Sequence, residues 1–374
     1  MPTRSGLAAE SARQSWESRR RQRVFWPIVG LVLTAICGLV VVGVVTSDLS
    51  TGAVVAGAAL ATLPVVPVVA TFLWLDRWEP EPGWTLLFAF VRGGGVATLG
   101  SLIVNSVVDI AYGPVASSVV SAPMIEEGLK GTFLVGLLWL RRRELDGVVD
   151  GIVYAGLVAA GFAFVENILY LGRAIDAGGS DGAITFVMRC LLTPFAHPFF
   201  TAFIGIAVGM AARRHGVLAR LGLPVIGYTC AVVLHALWNA AALWDDGRAF
   251  LSTYVTVMMP LFAGMVVLAL WQRRREQRVV ARFAPRFAAA GWIPQSEVPL
   301  LSSMSGRRQW RRAVRQRSGK AAARAVQDYQ VALTELAFLA DRVVRGTAGP
   351  EAARWHAEIL DAAAAARASV GAAA

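Results

Sequence analysis

The chain has 374 residues, of which 56% are hydrophobic and only 16% charged, and its mean hydropathy is +0.55. Soluble domains carry about a quarter charged residues, so this balance excludes an ordinary water-soluble globule. A formal charge of +11 would suggest nucleic acid in a soluble protein, but here the arginines gather at the edges of apolar runs, a placement that membrane topology explains directly.

Residues 1–23 form a basic N-terminal segment containing Arg19, Arg20, Arg21 and Arg23. The apolar run that follows, 24–46, is longer than the core of a secretory signal and has no small-residue cleavage site before Asp48, so it reads as an uncleaved first span. A span needs about 20 apolar residues. On that criterion further helices are expected near 52–75, 84–110, 115–140, 148–171, 183–212, 221–243 and 250–271, giving about eight spans. Pro64, Pro67 and the run Gly93–Gly95 weaken the helical pattern of the second and third. Cys37, Cys190 and Cys230 fall within apolar segments. Their odd number excludes a disulfide framework, and they read as small buried hydrophobes.

Flanking charge tests this count independently of hydropathy. Arg19–Arg23, Arg141–Arg143, Arg213 and Arg214 with Arg220, and Arg273–Arg275 with Arg278 alternate onto one side. The opposite loops hold Arg173 and Arg248 beside Asp176, Asp181, Asp245 and Asp246. The bias places both termini in the cytoplasm of a multi-pass cell-membrane protein. The inner loop Asp76–Pro82 is acidic, but acidic residues contribute little to orientation.

From Gln272 the composition turns polar and rich in Arg and Ala, which divides the chain into a membrane domain, 24–271, and a helical cytoplasmic domain, 272–374. Val326, Tyr329, Leu333, Leu336, Ala340 and Val343 recur at helical spacing on one face, and Gly346–Pro350 ends that helix before another. The Ala-rich end after Asp361 is expected to fray. The basic run Arg307–Lys320 favours anionic lipid over nucleic acid, because each basic residue near a membrane surface gains about 1 kcal/mol. The fold class is therefore all-α: a polytopic helical bundle with a small helical C-terminal domain.

An ionisable group at mid-membrane costs at least ~2.5 kcal/mol, so each needs a partner or a purpose. The fourth span carries Glu126, Glu127 and Lys130, where the lysine lies one turn beyond both carboxylates and can neutralise one of them. Neighbouring residues diverge by about 100° around a helix, so one glutamate can act while the other anchors. The fifth span carries Phe162 and Glu166 one turn apart, then Asn167. The sixth carries Arg189, read as an ion-pair partner or a snorkelling residue, and His197; the seventh carries His235 with Asn239 one turn on. This inventory suits a hydrolase in which a glutamate takes a proton from water and a His or Asn supports the oxyanion. It also suits a divalent metal such as zinc, with Glu166, His197 and His235 as candidate ligands. A proton-coupled transporter or channel is a further alternative, since buried Glu and His also relay protons. GxSxG and HExxH are both absent, which disfavours a serine or zincin protease.

Glu126-Glu127-x-x-Lys130, Phe162-x-x-x-Glu166-Asn167, His197 and His235-x-x-x-Asn239 resemble, in order and membrane setting, the PrsW intramembrane proteases, relatives of the type II CAAX prenyl proteases. The resemblance spans roughly 70–245 and includes Asp76–Pro82 and Asp150–Tyr154. It implies a glutamate-dependent endopeptidase that cuts single-span membrane proteins, with anti-sigma factors as the substrate type. By the same resemblance Glu126 or Glu127 activates water, Glu166 and His197 complete the site, and His235 with Asn239 steadies the oxyanion. Glu166 stands where the CAAX branch has His, which argues against a prenylated substrate.

Overall fold

The computed structural model describes residues 25–140, 145, 147–214, 216–244, 247–349 and 352–372. The basic segment 1–23, Arg141–Arg143, Asp245 and Asp246 lie outside the described residues. All regular structure among the described residues is helical. The chain divides into two compact units, one of Phe25–Asp76 and Glu81–Ala269, the other containing Arg77–Pro80 and Leu270–Ala374.

The first unit contains α1 (Phe25–Asp48), α2 (Thr51–Leu75), α3 (Gly83–Tyr112), α4 (Ala122–Leu140), α5 (Val148–Ala177), α6 (Asp181–Ala212) and α7 (Val217–Leu243), and α8 (Arg248–Ala289) up to Ala269. Among the described residues, α2, α3, α5, α6, α7 and α8 are long and apolar enough to cross a membrane. The other two expected spans fall outside that set for different reasons. The apolar stretch described in α1, Val32–Asp48, is shorter, and α4 carries the charges of Glu126, Glu127 and Lys130.

The prolines and glycines that weaken the sequence pattern do not end their helices. α2 runs through Pro64 and Pro67, and α3 accommodates Gly93–Ala97 as a π-helical turn. Such turns recur at Ser117–Ser121 before α4, at Val187–Leu192 within α6 and at Tyr254–Met258 within α8. They are a common feature of functional regions, because the displaced backbone carbonyls become available to other partners.

α5 is the central helix and is buried along most of its length. Its residues Ile152, Val153, Leu157 and Val158 form one core with Leu134 and Leu138 of α4 and Ile204 and Val208 of α6. Lipid is as apolar as these side chains, so the helices are held by close packing rather than by escape from water. Glycine permits that packing: a Cβ on Gly151 would strike the Gly205 carbonyl oxygen of α6, and one on Gly205 would strike that of Gly151. Cys190 is buried as expected, whereas Cys37 is half-buried and Cys230 exposed; all three are free thiols.

At the end of α2, Asp76 is buried and its carboxylate accepts the Glu81 N–H at 2.9 Å. Burial pushes this carboxyl up to about 8, opposed by that hydrogen bond and aided by the charge of Asp150.

In the second unit, Val280, Phe283 and Phe287 from the end of α8 pack with Trp78 and with α9 (Met304–Val344) and α10 (Ala352–Ala372). The expected apolar face of α9 is buried at Val326, Tyr329, Leu333 and Leu336, but Val343, in its last turn, is exposed. α9 breaks direction at Gly319, whose φ of 83° lies in the left-handed region that glycine adopts without strain. The Ala-rich end does not begin to fray at Asp361: helix continues to Ala372, with Ala362 and Ala363 buried. Arg307, the first of the basic run, is likewise buried. Its guanidinium sits 4.7 Å from the Trp78 ring and donates to the Leu301 carbonyl at 2.9 Å and to Thr334 Oγ1 at 2.7 Å. Burial lowers its pKa to about 9.

Candidate active site

The charged residues of α4 converge with α5, α6 and α7 on one point. Lys130 follows Glu127 by three residues and Glu126 by four, so all three project from one side of consecutive turns. Its Nζ lies 2.9 Å from Glu127 Oε1, 3.5 Å from Glu126 Oε2 and 3.2 Å from His197 Nδ1. An ammonium has three N–H donors, and three acceptors surround this one. The Phe162 ring lies 3.8 Å from Nζ, a cation–π contact, and the Lys130 side chain is fully buried.

The two adjacent glutamates have different surroundings. Glu127 Oε1 accepts from Lys130 and from His235 Nδ1 at 3.2 Å, and its Oε2 accepts from Thr201 Oγ1 at 2.7 Å. Glu126 has Lys130 at 3.5 Å and His235 Nε2 at 3.9 Å, and its side chain retains 8% exposure against 0% for Glu127. Both oxygens of Glu127 are occupied, whereas Glu126 keeps more acceptor capacity.

On α5, Glu166 Oε2 accepts from Arg189 Nη2 and from His197 Nε2, the latter at 2.6 Å. Arg189 Nε donates to Asn167 Oδ1 at 2.8 Å, and its guanidinium lies 4.0 Å from the Tyr170 ring. Of the two roles open to Arg189 in the sequence, the ion pair is the one adopted. These contacts also assign the imidazole tautomers. His197 accepts from Lys130 at Nδ1 and donates from Nε2, while His235 donates from Nδ1 and turns Nε2 toward Glu126. The His235 ring stacks on Phe200 at 5.0 Å, which fixes its plane.

Asn239 is hydrogen-bonded outside this group. Its Nδ2 donates to the Ser118 carbonyl at 2.8 Å, fastening α7 to the π-turn that precedes α4. Thr201 and Phe200 are site residues that the sequence reading missed. Thr201 stands one turn after His197, the spacing that put Asn239 under scrutiny, but a threonine in an apolar helix carries no distinctive signal. α6 is interrupted at residues 193–195, just before His197. There a cleft with about 320 Å³ of empty space, part of it continuous with the exterior, is lined by Asn167, Arg189, Pro194, His197 and Trp238.

Glu126, His197 and His235 each offer one ligand atom, all within 4.8 Å of one another, so these three could hold a metal by chemistry and spacing. The grouping takes in Glu126 rather than Glu166. With Lys130 in place, however, the residues do not fit an ion: one His197 nitrogen faces the ammonium and the other donates to Glu166.

Carboxylates, imidazoles and a lysine gathered inside an apolar helical bundle suit a multi-pass membrane hydrolase. A family model described as "PrsW family intramembrane metalloprotease" matches residues 81–265, which include the whole constellation. Protease PrsW of Geobacillus kaustophilus is 30% identical over 222 residues, covering 56% of this chain and 84% of the relative. Protease PrsW of Bacillus subtilis is 28% identical over 220 residues, covering 58% and 93% respectively. That of Oceanobacillus iheyensis is 23% identical over 222 residues, covering 56% and 93%. No solved structure matches. The chain belongs to the PrsW family of intramembrane proteases.

Proposed function

We propose that this protease hydrolyses peptide bonds of single-span membrane proteins with a water activated by Glu126. The observation that carries the reading is the contrast between neighbours: Glu127 has both oxygens occupied, and Glu166 is committed to Arg189 and His197, while Glu126 is the carboxylate with capacity to spare. A water beside Glu126 Oε2 and His235 Nε2 can donate a hydrogen to each, which turns its lone pair toward a scissile carbonyl. As the water attacks, Glu126 takes its proton and later delivers it to the leaving amine. Glu127 fixes His235 in the required tautomer, as carboxylates do for catalytic histidines. The pair Glu166–Arg189 orients His197 at the cleft, and Asn239 steadies α7 so that His235 is presented correctly. The family description names a metal; its chemistry would be polarisation of the carbonyl and activation of water, and no step here depends on it.

The substrate type that the family resemblance suggests is an anti-sigma factor. Flanking arginines support eight spans, a protease domain over 24–271 and cytoplasmic termini, with 272–374 as a cytoplasmic domain. Arg308, Arg312 and Arg315 of α9 are exposed at helical spacing, which supports a contact with anionic lipid headgroups. Membrane proteomics of strains carrying wild type, Glu126→Ala or Glu127→Ala tests the reading: a single-span protein should lose its shortened form in both variants. Unchanged processing in both would remove it.

A further inference from the structure

We infer that Lys130 is the resident cation of this site and occupies the role of a divalent ion, so that the protein works without a bound metal. The inference rests on the protease reading but not on the choice of base. Three residues with the donor set of a mononuclear zinc site converge here. The ammonium of Lys130 stands among the same atoms, 3.5 Å from Glu126 Oε2 and 3.2 Å from His197 Nδ1. A zinc ion would bond such atoms at about 2.0–2.2 Å. While Lys130 is in place His197 has no free ligand atom, because its Nδ1 lone pair receives a Lys130 hydrogen and its Nε2 hydrogen goes to Glu166.

The lysine is also not free to step aside. It is fully buried, closed over by the Phe162 ring, and bound to Glu127 at 2.9 Å. Remove the ammonium, and the same five side chains become a metal site: Glu126, His197 and His235 as ligands, with Glu166 and Glu127 accepting the second ring N–H of the two histidines. Carboxylates hydrogen-bonded to metal-ligating histidines are the usual outer partners of such ions.

The test is the metal content of full-length protein purified in detergent without chelators, read by inductively coupled plasma mass spectrometry, with thermal unfolding in the presence and absence of zinc. Wild type is expected to hold less than about 0.1 zinc per chain and to show no zinc-dependent shift. Lys130→Met is expected to take up about one zinc per chain and to melt higher when zinc is added. Lys130→Met/His197→Ala should lose that uptake. About one tightly held metal ion in wild type overturns the inference whether or not the variants fold, and so does a folded Lys130→Met protein that stays metal-free. Neither readout involves cleavage, so a failure here is distinguishable from a failure of Glu126 as the base.

Discussion

Replacing each of the two adjacent glutamates by alanine should separate a structural carboxylate from a catalytic one. Glu127→Ala removes acceptors for Lys130 at 2.9 Å, His235 at 3.2 Å and Thr201 at 2.7 Å, all from a side chain with no exposure. Breaking a buried ion pair by deleting one partner costs about 3–5 kcal/mol. The lower end applies here, because Lys130 keeps Glu126 as an alternative at 3.5 Å. Glu126→Ala removes only that longer contact and the 3.9 Å approach to His235. Its cost should stay at about 1.5–3 kcal/mol, the net value of one hydrogen bond to a charged group, and below that of Glu127→Ala, while cleavage falls by the ~10²–10⁴-fold expected for loss of a general base. Reversible unfolding in mixed micelles measures the first quantity and cleavage of a reconstituted single-span substrate the second. Equal destabilisation by the two substitutions, or a stable Glu127→Ala protein, would refute the assignment of anchor and base.

Three further outcomes follow from the fold. Gly151→Ala places a methyl group on the Gly205 carbonyl, where backbone on both sides resists movement, so unfolding in micelles should ease by about 1–3 kcal/mol or more. Asp76 should make the first unit pH-dependent. Its folded pKa is raised to about 8, so its contribution is full below the unfolded value of about 3.9 and is lost as pH rises toward the folded one. Unfolding at several pH values between about 4 and 8 should show a loss of at most ~1.4 kcal/mol per pH unit that Asp76→Asn abolishes. Trp78→Ala empties a buried site against Arg307 and should cost the second unit about 3–5 kcal/mol in thermal unfolding.

Much of this architecture is legible in the sequence because length and apolarity decide whether a helix crosses a membrane, and buried charge marks the site whatever the packing. Glu126, Glu127, Lys130, Glu166, His197 and His235 stand out on that ground alone, and they do converge. What spacing within one helix does not contain is the relation between helices. The i, i+4 spacing of His235 and Asn239 suggests a joint role, yet Asn239 is drawn to the Ser118 carbonyl of a π-turn that no residue pattern announces. The occupation of both Glu127 oxygens depends on Thr201 and His235, from two other helices, so the sequence left the two glutamates equivalent. Lys130 read as a local counter-ion, and its contacts with His197 and Phe162 emerged only from the packing of α4 on α5 and α6.

The central claim, that Glu126 takes the proton of the attacking water, is tested most directly by single-turnover cleavage of a reconstituted single-span substrate by wild type and Glu126→Gln. The amide preserves size and one acceptor oxygen but cannot accept the proton at neutral pH. Wild type should convert the substrate to two fragments, whereas Glu126→Gln, equally folded and equally able to bind the substrate, should be slower by ~10²-fold or more. Cleavage by Glu126→Gln at the wild-type rate would contradict the account.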